Sequence, residues 1–165
     1  MKKLYVFTIL LSLILSGCGG GKPGNEDLEK SFNDSFQAFK QAGVDMSEYF
    51  KASSFEVSDS YEEGKFYVVK ATPTVKIIKN LDETAIAAIK EKTGMLSGHV
   101  IQIINMFEIL KKYDDGELDE QKMMQELRLS QIRKPEGTLM SGNEFSGLES
   151  DYKFRKTDNG WMAVE

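Results

Sequence analysis

The chain holds one thiol, Cys18, and it stands at the end of an apolar run. Lys2 and Lys3 precede that run. It extends from Leu4 to Leu15 with hydroxyls only at Tyr5, Thr8 and Ser12, and closes on the small residues Ser16 and Gly17. A basic start, an apolar middle and a small-residue end form the order of a secretory signal. The stretch is shorter than the ~20 apolar residues that a bilayer core demands, so it reads as a cleaved signal and not as an anchor helix. An unpaired cysteine in an exported chain calls for an explanation other than a disulfide. Covalent modification of its sulfur supplies one.

Other chemistry-bearing residues form no recognisable constellation. His99 is the single histidine, which removes any histidine metal cluster. It follows Gly98 at the start of an apolar helix, where a packing or capping role is expected. No serine stands in a nucleophile elbow or a serine-lysine pair with companion motifs, and no glycine loop is built to cradle a phosphate. The acidic turn Asp114, Asp115, Gly116, Glu117, Leu118, Asp119 and Glu120 fits no frame of the EF-hand calcium loop. It reads as a solvated turn whose last acids begin a helix. Paired carboxylates acquire meaning only with geometry, so a glycosidase-like pair stays open. No catalytic residue, metal or cofactor is expected.

Leu15, Ser16, Gly17 and Cys18 together resemble the lipobox of bacterial lipoproteins. The resemblance implies that a diacylglycerol is attached to the Cys18 thiol, that the signal peptidase recognises Leu15, Ser16 and Gly17 and cuts before the cysteine, and that the new amino terminus is acylated, palmitate being a typical chain. Membrane contact would run through those acyl chains, which together hold firmly at ~0.8 kcal/mol per buried methylene. In enterobacterial-type members an aspartate after the cysteine favours retention in the inner membrane. Gly19 stands there instead, which points to the periplasmic face of the outer membrane in a Gram-negative cell envelope.

Loss of residues 1–17 leaves 148 residues, with 19 basic against 26 acidic side chains and a net charge of about −7. That length suits one domain with a sizeable core. The acidity argues against a nucleic-acid partner and against attraction of the folded body to an anionic surface. Residues 18–24 follow the cut site: Gly19, Gly20, Gly21, Lys22, Pro23 and Gly24 after the cysteine read as a flexible tether. One α+β domain is expected over residues 25–165.

Leu28, Phe32, Phe36 and Phe39 share one arc at helical spacing, and Gly43 stands where a left-handed cap is expected. Asp45 and Glu48 resemble a capping box opening a short second helix with Met46, Tyr49 and Phe50. The period then changes to two. Phe55, Val57 and Tyr61 share a strand face, Glu62 to Lys65 supply a turn, and a second strand runs from Phe66 to Ala71. Pro73 places its far end at a sheet edge or bulge before Val75 to Ile78. Asn80 and Glu83 signal a helix through Ala85, Ile86, Ala88 and Ile89 that Gly94 stops. Next comes the most apolar segment of the mature chain. Val100, Ile103, Ile104, Phe107 and Leu110 form a stripe that Ile101, Met106 and Ile109 widen, so this helix is central or covered by a partner. Gln102, Asn105 and Glu108 interrupt it too often for a membrane span. Met123, Met124 and Leu127 continue helical packing until Pro135. Thr138 to Ser141 suit a strand, as do Leu148, Ser150, Tyr152 and Phe154. Asp158, Asn159 and Gly160 then turn the chain into a last strand, Trp161 to Val164, with Asn159 and Gly160 at positive-φ positions and Trp161 facing inward with Ala163.

The closing segment Lys156 to Glu165 resembles the final hairpin of cystatin-like and NTF2-like domains, which implies helices packed into an antiparallel sheet. The part from Val100 onward also resembles small envelope domains of two helices and three strands, whose glycine and proline positions it does not reproduce. Two functions follow. The first is a non-enzymatic lipoprotein that binds or assembles with another envelope protein. The second is capture of a small apolar or amphiphilic molecule in a sheet pocket lined by Phe32, Phe36, Phe39, Tyr152 and Trp161.

Overall fold

The computed structural model describes residues 21–164. The signal of residues 1–17, with Leu15, Ser16 and Gly17, and the candidate lipidation residue Cys18 lie outside the described residues. In chain order the elements are α1 (Asn25–Asp34), α2 (Gln37–Gln41), a 3₁₀ turn (Met46–Glu48), β1 (Phe50–Glu63), β2 (Phe66–Ile77) and α3 (Glu83–Thr93). A second 3₁₀ turn (Gly94–Leu96) leads into α4 (Ser97–Asp114) and α5 (Glu120–Leu129), and β3 (Glu144–Ser146), β4 (Ser150–Thr157) and β5 (Gly160–Ala163) close the chain. This is the expected α+β class: helices lie on a five-stranded antiparallel sheet of order β1-β2-β4-β5, with β3 on the same strand, β2.

Apolar alternation along β2 buries Tyr67, Val69, Ala71, Pro73, Val75 and Ile77 under the helices. Helix α1 packs on β1 and β5, the two outer strands, so it bridges the sheet; α4 packs on α3, α5 and β3. Between them runs a chain of edge-on aromatic rings. Phe32 meets Phe36 at 5.3 Å, Phe36 meets Phe50 at 5.0 Å, Phe50 meets Phe107 at 4.8 Å and Phe107 meets Phe145 at 5.5 Å. Such contacts add ~0.5–1.5 kcal/mol each beyond area burial.

Several local expectations are corrected. The first helix is two helices: the Ser35 hydroxyl donates to the Phe32 carbonyl at 2.6 Å, and this back-bonding competes with the helical ladder where the chain breaks. Asp45 caps only a 3₁₀ turn, accepting from the Ser47 N–H, and Phe50 opens β1. Tyr61 does not share a face with Val57. A bulge between Val57 and Asp59 sets Val57 opposite Ala71 and Tyr61 opposite Val68, and one extra residue flips every side chain after it. Glu62 and Glu63 are paired strand residues, leaving Gly64 and Lys65 as the turn. Asp82, not Asn80, caps α3 by accepting from the Ala85 N–H, while Asn80 accepts from the Ser141 N–H. Thr138 to Ser141 make only a bridge between Leu139 and Leu81, and the strand lies at Glu144–Ser146. In the last turn Thr157 pairs with Gly160, so Asp158 and Asn159 form the loop and only Gly160, at φ +108°, is left-handed.

Pro73 occupies neither an edge nor its own bulge. It is buried within β2, and its carbonyl accepts from the Gly147 N–H at 2.7 Å. A strand residue presents N–H and C=O on one side, so the donor that proline lacks is missing on the side of β3 and β4. The partner strand is interrupted there, between Ser146 and Ser150. Gly147 is required at the break because a Cβ would stand 2.8 Å from the Pro73 ring.

Candidate functional site

The interruption at Gly147 opens the floor of a groove of about 500 Å³ between α1 and α4. Phe32 and Phe36 line it from the α1 side, and Ile103, Met106, Phe107 and Leu110 from α4. Pro73, Val75 and Tyr152 form the sheet side, with the exposed Leu148 at the rim. The polar lining is sparse: Ser31, Ser35, Ser150 and the exposed carboxylate of Asp151. Among the described residues this groove holds a single carboxylate, so it contains no glycosidase-like pair. Volume and composition fall in the range of small-molecule sites.

Tyr152 reports how dry this wall is. Its ring sits edge-on to Phe55 at 5.6 Å, and burial alone pushes its phenol up from 10.0 to about 12. Desolvation disfavours the phenolate, and no neighbouring charge compensates.

Three of the five sequence-predicted pocket residues, Phe32, Phe36 and Tyr152, converge on the groove. Phe39 does not. It lines an adjoining depression of about 510 Å³ with Leu96, His99 and Gln102, separated from the groove by Ser35, Ile103 and Met106, which line both. Trp161 lies elsewhere, beyond the end of the groove. It faces the helix-covered side as expected, since it pairs with Lys156 on the face of Tyr152 and Phe154, but it is only half-buried. Its ring meets Tyr67 at 5.7 Å and its Nε1 donates to the Gly21 carbonyl at 2.8 Å. His99 is exposed, and no side chain caps α4.

The groove wall that sequence reasoning did not assign to the site is α4, and the reason α4 holds still is polar. Asn105 and Glu108 are buried at 0% and 1% exposure. The Asn105 amide donates to the Ser130 and Arg133 carbonyls, both at 2.7 Å. The Glu108 carboxylate accepts from three successive N–H groups, those of Glu136 (2.9 Å), Gly137 (2.7 Å) and Thr138 (3.2 Å). Successive amides form a concave anion nest, and Gly137 at φ +74° permits it. Lys112 and Arg133 pair with Glu136, and Arg133 also with Glu126, over the outside of the same loop. Polar residues recurring every three positions in the apolar segment, Gln102, Asn105 and Glu108, were the available signal.

Among the described residues no helix is long and apolar enough to cross a membrane, and no group of His, Cys, Asp or Glu is placed to hold a metal ion. No family model, curated protein or solved structure matches the chain.

Proposed function

We propose that this chain is a cell-envelope lipoprotein, anchored by acyl chains on Cys18 after removal of residues 1–17, whose domain captures an apolar or amphiphilic ligand without catalysis. The observation that carries the binding half is the apolar groove between α1 and α4, floored by the break at Pro73 and Gly147. Its lining offers no cation, so an anionic head group finds no partner, whereas the rim hydroxyls and Asp151 suit a neutral or cationic one. Of the over-wide apolar surface of α4, which would favour a protein partner if exposed, Val100, Ile104, Phe107, Ile109 and Leu110 are buried in the core, and the half-buried Ile103 and Met106 face the groove. The anchor half rests on the order Leu15, Ser16, Gly17, Cys18, with Gly19 supporting an outer-membrane address.

Binding is tested by titrating a fluorescent monoacylglycerol into the protein. Saturable binding is expected, and Met106→Lys, which puts a charge on the half-buried groove wall, should weaken it at least about tenfold, equivalent to ~1.4 kcal/mol. Absence of saturable binding, or a folded Met106→Lys variant that binds equally well, would overturn the reading. For the anchor, Cys18→Ser should accumulate as an unprocessed precursor carrying no fatty acid. Cleavage and palmitate labelling of that variant would refute the assignment.

A protein partner is the second reading, and one observation favours it: Ile132 and Leu129 are 83% and 48% exposed on a shallow depression beside Lys122 and Arg133. A photo-crosslinker at position 132 should then trap one defined envelope protein in intact cells; a blank result removes this reading.

A further inference from the structure

The contact between Trp161 and Gly21 fixes where the tether leaves the fold. The indole Nε1 donates to the Gly21 carbonyl at 2.8 Å, and Lys22 lies over the neighbouring Tyr67 ring, 5.8 Å from its centroid. Only Gly19 and Gly20 separate Gly21 from Cys18, a span of three Cα–Cα steps. Such a length of chain reaches at most about 11 Å even when fully extended. A cysteine held in a bilayer therefore keeps the β5 end of the sheet against that bilayer. A long flexible tether would leave the domain free to tumble; this one is too short.

We infer that the short tether, pinned by Trp161, seats the domain on the lipid headgroup layer by the end of the sheet that carries the β1–β2 and β4–β5 turns. The inference rests on the anchor reading of Cys18. The register brings the two turns together: Glu63 pairs with Phe66, Phe66 with Arg155 and Lys156 with Trp161. The side chains at this end suit a headgroup layer. Lys65 and Lys153 lie over the Phe66 ring at 5.5 and 4.8 Å, and Lys156 lies 6.0 Å from the Trp161 ring. These are cations with apolar stems laid on aromatic surface, an arrangement that suits a boundary between water and hydrocarbon. Lys22, Lys65, Lys153, Arg155 and Lys156 are offset by Glu62, Glu63 and Asp158 and by Glu26 and Asp27 at the start of α1. The charges balance, so the matching surface is zwitterionic, and the tether, not net charge, sets the orientation.

Trp161 is the only tryptophan of the chain, which makes the orientation directly readable. The lipidated protein is reconstituted into phosphatidylcholine vesicles containing phosphatidylcholine spin-labelled on its headgroup, flotation is checked, and tryptophan emission is measured. Trp161 should lose most of its emission. Inserting a long glycine-serine linker between Gly19 and Gly20 should restore emission while the protein still floats. Floating protein with undiminished emission would overturn the inference and leave the anchor intact. Quenching that survives the linker would overturn the tether as its cause. Protein that carries acyl chains on Cys18 yet fails to float would overturn the inference, and protein without acyl chains would overturn the anchor reading with it.

Discussion

The two walls of the groove are held in opposite ways. Helix α4 is enclosed by α3, α5 and β3 and tied to the following loop through Asn105 and Glu108. The α1 wall lies on the sheet by one face only, through Leu28 and Phe32, and the helix breaks at Ser35 before Phe36. One wall is clamped by buried polar groups, the other rests on aromatic contacts. A groove between unequal walls can widen only by movement of the weaker one. Adaptation to a ligand should therefore appear in α1 and α2, with α4 as the fixed reference.

The clamp is the place to break this comparison most severely. Glu108→Ala leaves three part-buried N–H groups without their acceptor and should cost ~4–5 kcal/mol, about 1 kcal/mol for each donor and the rest for the cavity left by a fully buried side chain. Glu108→Gln keeps one carbonyl oxygen for the nest but turns an N–H₂ group toward another donor, so it should recover only part of the loss. Urea unfolding of both variants checks the order. If Glu108→Ala unfolds at the wild-type midpoint, the loop supports itself and α4 is not clamped.

The aromatic chain sharpens the contrast. Phe107, 3% exposed and edge-on to both Phe50 and Phe145, should cost ~3–4 kcal/mol when cut to alanine. Phe36, half-buried on the opposite wall, should cost only ~1–2 kcal/mol. Ligand affinity should fall further for Phe36→Ala than its stability loss suggests, because it enlarges the groove on the wall that moves. Equal stability losses at the two positions would show that the walls are equally fixed.

What the sequence disclosed and what it hid follow from the range of the interactions. The apolar stripe of α4 and the period-two pattern of β2 are local periodicities, legible within a dozen residues, and both elements lie where they were expected, although β2 runs unbroken through Pro73. The bulge at Ser58 and the break at Pro73 depend on what lies across the sheet. They moved Tyr61 to the other face and turned a suspected edge into the floor of the groove. Asn105 and Glu108 looked like interruptions of an apolar segment because their partners lie 25 to 30 residues further along the chain. Half of the pocket was visible as a phenylalanine stripe; its other wall was visible only as surplus hydrophobicity. Trp161 shows the converse, since strand parity put it on the correct face but could not place it along the sheet.

The smallest effect is the most direct probe of the groove itself. Burial holds the Tyr152 phenol near 12, against 10.0 for an exposed one. The unfolded chain therefore loses this proton first as pH rises. The stabilisation from neutral Tyr152 is complete below pH 10 and is lost as pH climbs through the folded value of about 12. In a rapid alkaline titration followed by tyrosinate absorbance, one of the five tyrosines left after loss of Tyr5 with the signal should ionise after the rest. Phe36→Ala, by letting water in past the α1 wall, should bring that last step back toward the others, whereas a bound apolar ligand should delay it further. If all five tyrosines of the folded mature protein ionise together, Tyr152 is already wet. The groove would then be a solvated crevice and not a site for an apolar chain.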